Sequence, residues 1–354
     1  MSGLQDSGGW PPLLARLMAG KTLSVDEAGA ALGDILAGDA RPSQVAAFVT
    51  ALRLRGETVE EMTGLVRAMF AHAETVPLGE GLVDCVVDTC GTGGDRRRSI
   101  NVSTIAALVV AGAGVPVCKH GGRAASSASG SADVLESLGV VIDLGPAGVA
   151  RCVTEAGIGF AFAPRFHPAM RHVGPVRSEL GVATVFNFLG PLANPARVRR
   201  QVVGVADPAM AETMAGVLAA NGALSAMVVW GHDGLDELST LGPSSVLALG
   251  PDGRVRRFVV DPASLGLAPA TLADLLGGDP KSNAEVVRRV LEGAQGPHGD
   301  IVVLNAAAGL VVAGRAEDLA DGLEQAREVL DSGAAAAALE RLVRVSKTVA
   351  GEPG

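Results

Sequence analysis

Short β-branched runs alternate with helical stretches in the central part of the chain, and this alternation restricts the possible folds more than any other feature. Such runs occur at residues 83–87, 115–117, 140–142, 158–162, 202–205 and 226–230. Parallel strands need long crossover connections, which are usually helices. The pattern therefore predicts an α/β fold with a mostly parallel central sheet. A Pro-Asp-Gly sequence at 251–253 predicts a hairpin between two further strands, at 246–249 and 255–259.

The first 78 residues lack this alternation and predict a small helical domain. Two S/T-x-x-E sequences precede residues with helical apolar spacing, at Ser24–Glu27 and Thr58–Glu61. This spacing is typical of helix N-termini that form a capping box. Between them, Pro42 predicts the start of a helix that ends at Gly56. We therefore predict two domains, a helical domain at 1–78 and an α/β domain at 79–354.

Composition and charge exclude several classes of protein. The chain has 354 residues, of which 48% are hydrophobic, and a formal net charge of -9. This charge argues against binding nucleic acid or an anionic membrane through the overall field of the protein. The longest apolar stretch, 104–117, contains glycines and a proline and is shorter than the roughly 20 residues that span a bilayer. Because the four cysteines lack CxxC spacing and no secretory signal pattern is visible, we expect a cytoplasmic protein without a membrane partner.

The stretch VVDTCGTGGDRRRSINVS, residues 86–103, combines a strand, a glycine turn and a helix start. This arrangement gathers backbone N–H groups at a helix N-terminus and favours a bound phosphate. Gly91 and Gly93 match the dinucleotide-binding fingerprint, but Arg96 stands where it requires glycine, and the P-loop pattern is absent. The turn therefore predicts a phosphate site of neither common kind. The arginines at 96–98 either close over the phosphate or form a solvated loop tip, and both interpretations stay open.

A second stretch, KHGGRAASSASGSADVLESLG at 119–139, also follows a short apolar run and leads into a helix. Its cationic, small and hydroxyl side chains are interleaved, which suits a polyanion that the backbone approaches closely. A polar surface loop before a serine-capped helix is the alternative.

A third stretch, WGHDGLDELS at 230–239, contains the acids Asp233, Asp236 and Glu237. Oxygen ligands opposite phosphate-binding loops are typical of a Mg2+ site, and acids in the first turn of a helix are the alternative. All three stretches follow predicted strands. In a parallel sheet they would meet at its carboxyl edge, where open α/β sheets bind ligands.

These stretches, with FAPRFHPAMRHVGPVRSELG at 162–181 and FNFLGPLANPA at 186–196, resemble the anthranilate phosphoribosyltransferase family, in order, over about residues 20–345. The resemblance implies a nucleoside-phosphorylase-like fold, in which helices near 167–190 pack back on the helical domain. It also implies a homodimer. The implied activity is Mg2+-dependent transfer of the phosphoribosyl group of phosphoribosyl pyrophosphate (PRPP) to the amine of anthranilate, in tryptophan biosynthesis.

The same resemblance assigns site residues. The positions that match the PRPP-binding residues are Gly91, Gly94, Asp95, Ser99, Asn101, Val102, Ser103, Thr104, Lys119, His120, Gly121, Gly122, Arg123, Ala124, Ala125, Ser126, Ser127 and Ser131. The matching magnesium ligands are Ser103, Asp236 and Glu237. The positions that match the anthranilate pocket are Gly91, His120, Gly122, Pro191 and Arg177, the last of these at the carboxylate. No covalent nucleophile is expected, because charge stabilisation and placement suffice for this chemistry.

Gly122 departs from the family, which usually has an asparagine here that helps to position anthranilate. Loss of one neutral hydrogen bond costs about 1 kcal/mol, so we expect weaker acceptor binding or a larger acceptor pocket. Two other functions stay open: another transferase on the same fold, such as a pyrimidine nucleoside phosphorylase or a phosphoribosyltransferase for a different aromatic amine, and a non-catalytic nucleic-acid-binding paralogue. The adjacent acids Asp236 and Glu237 favour a magnesium-pyrophosphate donor, and the net charge of -9 opposes nucleic acid.

Overall fold

The N-terminal region folds as a helical bundle. The computed structural model describes Leu4 and residues 8–124 and 129–352. Within this described region, the bundle consists of α1 Trp10–Met18, α2 Val25–Ala37, α3 Pro42–Arg55 and α4 Val59–Ala71. α2 and α4 each begin with the predicted capping box, since Glu27 N donates to Ser24 Oγ and Glu61 N donates to Thr58 Oγ1, each over 3.2 Å. α3 begins and ends as predicted.

The rest of the chain is organised around one twisted sheet. Among the described residues it has seven strands, in the order β3-β2-β1-β4-β5-β6-β7. They are β1 Val87–Gly91, β2 Val117–Gly121, β3 Ile158–Phe162, β4 Arg200–Gly204, β5 Ser225–Gly231, β6 Ser244–Leu249 and β7 Val255–Val260. β1 to β5 pair in parallel, whereas β6 and β7 form the predicted antiparallel hairpin at one edge. The predicted α/β fold is confirmed.

Helices cover both faces of this sheet. They are α5 Glu80–Val83, α6 Val102–Gly112, α7 Ser131–Ser137, α8 Pro146–Arg151, α9 Ala163–Phe166, α10 Gly174–Leu180, α11 Phe186–Leu192, α12 Ala211–Ala220, α13 Pro280–Leu291, α14 Pro297–Ala313, α15 Leu319–Asp331 and α16 Ala334–Gly351. Alternate strand residues enter two cores: Val202 and Met227 join α6 and α14, whereas Val203 and Val228 join the helical bundle. Burial on both faces explains the nearly continuous apolar runs. No helix in the described part of the chain is long and apolar enough to cross a membrane.

The segment between β3 and β4 packs against the helical bundle. α10 contacts α3, α11 contacts α4, and a 3-10 turn at Pro168–His172 contacts α2. Val173, Val176, Phe186 and Leu189 lie in the same core as residues of the bundle. The bundle and the sheet therefore share one hydrophobic core, and this segment lies between them.

The predicted strand at 140–142 is wrong. These residues are not in a strand. Val140 N donates to Leu135 O at the end of α7, and Val141 N donates to Ser346 Oγ of α16. Helix termini and a helix side chain satisfy the backbone groups that a strand would pair, so the apolar run packs without joining the sheet.

Two further strands begin later than their apolar runs suggest. β1 and β2 start at Val87 and Val117, which are paired with each other in the sheet. Lys119 and His120, expected in a loop, therefore lie inside β2 and not beyond it. Charged and polar residues are tolerated there because buried acceptors meet them, as described below.

Candidate active site

The loop between β1 and α6, called here the first loop, contains several residues in the left-handed backbone region. Gly93 and Gly94 have φ angles of 64° and 85°, and Arg96 and Arg98 both have φ of 57°. Non-glycine residues rarely adopt this region, so two of them in one short loop indicate a shape that its surroundings maintain. Asp95 Oδ1 accepts a hydrogen bond from a backbone N–H of the same loop over 3.1 Å. Left-handed residues in such loops turn successive N–H groups towards one side, as in anion-binding nests.

The end of this loop is attached to a distant segment that sequence reasoning missed. Ser99 forms an isolated antiparallel bridge with Leu276. Asn101 Nδ2 donates to Ser129 O over 3.0 Å, and Asn101 Oδ1 accepts from Asn283 Nδ2 over 2.8 Å. Asn101 is thus held between α13 and the loop that joins β2 to α7, called here the second loop. No local sequence signal identifies Asn283, because the pair is separated by 182 residues along the chain.

The first turn of α6 contacts the loop that joins β5 to β6, called here the third loop. Ser103 N donates to Glu237 Oε1 over 3.2 Å, and Lys119 Nζ lies 3.3 Å from Ser103 Oγ. Val102 and Thr104 are only 1% and 2% exposed, so this turn of α6 is buried. The structure therefore brings together three residues that the sequence places far apart, Ser103, Lys119 and Glu237.

Lys119 is a buried cation at the centre of this region. Lys119 is only 3% exposed, and its Nζ donates to Thr89 O over 2.5 Å and to Ser103 Oγ over 3.3 Å. Burial of an ammonium group is unfavourable unless hydrogen bonds and nearby negative charge compensate. The two oxygens account for two of its three donors. Lys119 therefore places a positive charge between β1, β2 and the start of α6.

The second loop is tightly packed where it leaves β2. A Cβ atom at Gly121 would lie 2.2 Å from Ser131 Oγ, so this position needs glycine. Ser131 Oγ in turn donates to Gly122 O over 3.4 Å. At Gly122, by contrast, an added Cβ would have no atom within 4 Å. The missing asparagine side chain of Gly122 therefore leaves open space beside the loop.

Arg123 is bonded to α7. Its guanidinium group forms ion pairs with Asp133 and Glu136, each over 2.9 Å. Asp133 Oδ2 also accepts from Ala124 N over 2.9 Å. These contacts tie the loop to α7, and the Arg123 side chain stays half exposed. The predicted PRPP-binding residues Ala125, Ser126 and Ser127 lie outside the described part of the chain.

The third loop approaches the first through two glycines. Asp236 Oδ2 accepts a hydrogen bond from Gly93 N over 2.7 Å. A Cβ atom at Gly91 would lie 2.5 Å from Asp236 Oδ2, and one at Gly204 would lie 1.6 Å from Asp236 O. The ends of β1 and β4 therefore need glycine because Asp236 crosses over them. This contact gives Gly91 a structural reason to be in the site.

Asp233 has a different role from the other two acids. Its Oδ1 accepts from Leu235 N over 2.8 Å, and its Oδ2 accepts from Ser239 Oγ. The segment is a turn and not the first turn of a helix, so that alternative is wrong. The Arg97 guanidinium group donates to Asp233 O. One of the three arginines is thus bonded to the third loop, while Arg96 and Arg98 are exposed.

The Asp236 and Glu237 carboxyl groups form a site that suits a divalent cation. Removal from bulk water, and next the charge of Asp95, raises the pKa of Asp236 to about 7. Burial, and next the charge of Asp236, raises the pKa of Glu237. A cation between such carboxylates relieves their repulsion. No three His, Cys, Asp or Glu side chains in the described ranges could hold a metal, but two carboxylates beside the Ser103 hydroxyl fit Mg2+, which completes its shell with water and substrate phosphate.

His120 presents a buried hydrogen-bond acceptor. Its Nδ1 lies 3.1 Å from Gly190 O, and its ring centre lies 5.1 Å from that of His167. Burial, and next the charge of His167, lowers the pKa of His120 to about 3. Because a carbonyl faces Nδ1, the proton of the neutral ring is on Nδ1 and Nε2 is an acceptor. Nε2 is buried and has no hydrogen-bond partner among the described residues, so it can receive a donor from a ligand.

Pro191 and Arg177 are carried by the segment that packs against the bundle. Pro191 O, in α11, accepts from Gln201 Nε2 over 3.0 Å, and the same helix contacts the His120 ring through a carbonyl. Arg177, in α10, is half-buried, and its guanidinium carbon lies 5.9 Å from the centre of the Phe186 ring. Burial lowers the pKa of Arg177. The structure therefore brings the helix of Pro191 to His120, whereas Arg177 lies on a different helix and contacts Phe186.

Asp88 and Asn194 form a buried pair that sequence reasoning missed. The pair is hydrogen-bonded to the backbone of β2. Asn194 Nδ2 donates to Asp88 Oδ2 and to Cys118 O, each over 2.8 Å. His120 N donates to Asp88 Oδ1 over 3.3 Å. Burial raises the pKa of Asp88, although the charge of Lys119 and these hydrogen bonds oppose it. The signal was an aspartate inside the apolar run VVDTC, which is costly unless the carboxyl group has partners.

An anion-binding loop, a buried lysine and paired carboxylates at the carboxyl edge of an α/β sheet define a class of enzyme that acts on a phosphorylated substrate with a divalent cation. Two family models match the chain. Residues 11–73 match the glycosyl transferase family, helical bundle domain, and residues 84–336 match the glycosyl transferase family, a/b domain.

Relatives and solved structures narrow the assignment. The chain is 55% identical to the anthranilate phosphoribosyltransferase of Thermomicrobium roseum, over 96% of this chain and 97% of the relative. It superposes on the crystal structure of anthranilate phosphoribosyltransferase from Thermus thermophilus with a TM-score of 0.89 at 44% identity, covering 94% of this chain and 99% of that one. The Saccharomyces cerevisiae enzyme in complex with PRPP and Mg gives a TM-score of 0.86 at 30% identity, covering 95% and 97%. The chain belongs to the anthranilate phosphoribosyltransferase family, as its motifs indicate.

Proposed function

We propose that this chain transfers the phosphoribosyl group of PRPP to the amine nitrogen of anthranilate and releases pyrophosphate, with Mg2+ as the cofactor. One observation carries the proposal: three hydrogen bonds join the first loop, β2 and the start of α6 to the predicted metal ligands Asp236, Glu237 and Ser103. They are Gly93 N to Asp236, Ser103 N to Glu237 and Lys119 Nζ to Ser103. Relatives with this name and a homologous structure with PRPP and Mg support the same activity.

The donor side of the site stabilises charge that develops during the reaction. The bond from ribose C1 to the pyrophosphate oxygen breaks, and negative charge grows on the leaving group while positive charge grows on the sugar. Backbone N–H groups of the first loop and the Lys119 ammonium group are placed to stabilise the pyrophosphate. Asp236, Glu237 and the Ser103 hydroxyl would hold Mg2+, which supplies positive charge at the pyrophosphate oxygens. In this proposal Asp95 accepts hydrogen bonds from ribose hydroxyls.

The acceptor side positions an amine that is already nucleophilic. We propose that the Arg177 guanidinium group meets the anthranilate carboxylate and that His120 Nε2 accepts an N–H of the amine. The new bond joins this nitrogen to ribose C1, and the nitrogen then loses a proton. An N-substituted anilinium group is strongly acidic, so pyrophosphate or water removes that proton without a dedicated base. Positioning of both substrates then supplies much of the rate enhancement.

The test is a direct assay of the purified protein with PRPP, Mg2+ and anthranilate, followed by the loss of anthranilate fluorescence. We expect turnover that chelation by EDTA abolishes. Glu237→Gln should reduce turnover at least about a hundredfold, since a metal ligand is lost, whereas Asp331→Asn, an exposed carboxylate at the end of α15, should not. No fluorescence loss at micromolar enzyme would refute the proposal. Turnover of 4-aminobenzoate or aniline in preference to anthranilate would instead assign another aromatic amine.

We also propose that the protein is a cytoplasmic homodimer that associates through its helical bundle. Met18 of α1 and Leu54 of α3 are 83% and 84% exposed, so the bundle offers apolar side chains that such an interface would cover. Cys85, Cys90, Cys118 and Cys152 are free thiols, as expected in a reducing compartment. Light scattering after gel filtration should show a dimer, and a Met18→Glu, Leu54→Glu double variant should be a monomer.

A further inference from the structure

A cavity distinct from the candidate active site lies between the helical bundle and the sheet, away from the carboxyl edge of the sheet. Its volume is about 420 Å3, and it is bounded by α4, the end of α11, the start of β4 and the end of α12. Gln201, the second residue of β4, contributes to its wall. The cavity is therefore near the amino end of β4, opposite to the strand end where Gly204 contacts Asp236. Its size is within the range of small-molecule sites.

Three side chains that line this cavity carry donors without a partner among the described residues. Arg67 and Arg197 line it, and neither forms an ion pair or hydrogen bond through its guanidinium group with another described residue. Asn221 Nδ2 is buried and likewise has no partner among the residues that the structure describes. No Asp or Glu is part of the described lining. Two arginines and a buried amide donor, with no carboxylate in the described lining, favour an anionic ligand.

Arg197 is held in an unusual conformation. Its φ angle is 51°, in the left-handed region that arginine rarely adopts. Its guanidinium carbon lies 5.2 Å from the centre of the Phe70 ring, in a cation–π contact that joins α4 to the turn before β4. Such backbone strain is found where the surroundings impose it, often at ligand sites. This contact therefore orients the exposed Arg197 guanidinium group beside the cavity.

The remaining walls are apolar. Phe70, Leu192, Val217 and Leu218 line the cavity, and the last three belong to buried or nearly buried helix positions. This surface suits a flat or branched hydrocarbon body. An ammonium group on the ligand would find no carboxylate in the described lining. The chemistry therefore favours a carboxylate with an aromatic body over a zwitterionic amino acid.

We propose that this cavity is a regulatory site for a small aromatic monocarboxylate, with its carboxylate on Arg67, Arg197 and Asn221 and its ring on the apolar wall. A route to the acceptor pocket exists, and this part rests on the proposed function. Gln201 lines the cavity and donates through Nε2 to Pro191 O over 3.0 Å, and Leu192, the next residue, also lines it. A ligand that moves α11 thus changes the position of Pro191 and the anthranilate KM.

Calorimetric titration of the whole protein tests binding separately from catalysis. The probes share one body: 3-phenylpropionate, its neutral amide 3-phenylpropionamide and the zwitterion L-phenylalanine. We expect one 3-phenylpropionate per chain, with the amide and the zwitterion at least about tenfold weaker, because each charge-assisted hydrogen bond contributes strongly. Arg67→Gln and Arg197→Gln should each weaken 3-phenylpropionate at least about tenfold, whereas Arg344→Gln, which removes an exposed charge on α16, should leave it unchanged.

The acceptor pocket is excluded with Arg177→Gln. If that variant retains 3-phenylpropionate binding while Arg67→Gln and Arg197→Gln lose it, the second site is established. Binding lost only in Arg177→Gln places the probe in the acceptor pocket and overturns the proposal, as does no binding to the wild-type protein. Both arginines are exposed, so folding should survive, and unchanged thermal unfolding of each variant checks it. Asn221→Asp, which sets a negative charge against the carboxylate, provides an independent second variant with the same expected loss.

Discussion

Asn283 is expected to determine PRPP affinity although it has no place in any recognised motif. It is 3% exposed in α13, where its Oδ1 accepts from Gly278 N over 2.7 Å and its Nδ2 donates to Asn101 Oδ1 over 2.8 Å. Asn283→Ala removes both hydrogen bonds and leaves a partly buried N–H group and a partly buried amide oxygen unpaired, which costs about 1 kcal/mol of stability or more. Because Asn101 belongs to the first loop, part of this loss falls on PRPP binding. Loss of about 1–2 kcal/mol there corresponds to a five- to thirtyfold higher PRPP KM.

The assay measures kcat and both KM values for Asn283→Ala, Asn283→Asp and a control. Asn283→Asp keeps the acceptor for Gly278 N but places an oxygen opposite Asn101 Oδ1, so it should also raise the PRPP KM with a smaller loss of stability. The anthranilate KM should stay unchanged in both. The control, Ser346→Ala, removes a buried hydroxyl that accepts from Val141 N over 3.1 Å, far from the loop. A PRPP KM within twofold of wild type in both folded Asn283 variants, or an equal rise in the control, would refute the reasoning.

Three further predictions concern single residues. Gly91→Ala places a Cβ 2.5 Å from Asp236 Oδ2, so we expect kcat/KM to fall at least about tenfold and half-maximal Mg2+ to rise; an unchanged Mg2+ titration would contradict this. Gly122→Asn has free space around the new Cβ, so the anthranilate KM should fall about fivefold, one hydrogen bond's worth, and an unchanged or higher KM would count against the expectation. The pKa of His120 is lowered from 6.5 to about 3, so its contribution to stability is complete above 6.5 and is lost as pH falls towards 3. The free energy of unfolding in urea should drop by about 1 kcal/mol between pH 7 and pH 5.5 from this residue. That drop should shrink in His120→Asn but not in His232→Asn; equal drops in all three proteins would show that His120 is not its source.

Local patterns were sufficient for the helical bundle and for most strands. The capping boxes at Ser24 and Thr58 formed as predicted because both partners lie within one helical turn. The run at 140–142 was misleading for a complementary reason: an apolar β-branched segment is compatible with a strand, but pairing requires a free sheet edge. Ser346 and Leu135 satisfied its backbone instead. Such competition is invisible within a short window of sequence.

The residue types of the site were predictable, and their contacts were not. Glycine at 91 was recognisable as part of a phosphate loop, yet its physical reason is the approach of Asp236 from a loop after β5. Lys119 was expected in a loop and lies in β2, where Thr89 O and Ser103 Oγ accept hydrogen bonds from its ammonium group. Arg123 was expected at the phosphate and pairs with α7. In each case the partner comes from another element.

By itself, the sequence determined most of the segments that become helices and strands, the need for glycine turns after them, and, through its motifs, the family. Those properties depend on backbone propensities and on partners a few residues apart. Tertiary structure alone decided that Ser103 meets Glu237 across 134 positions and that Asn283 holds Asn101 across 182. It also decided which donors, among them Arg67 and Arg197, line a cavity whose described lining has no carboxylate. The physical reason is that hydrogen bonds and charges act over a few ångströms in space, whatever their separation along the chain.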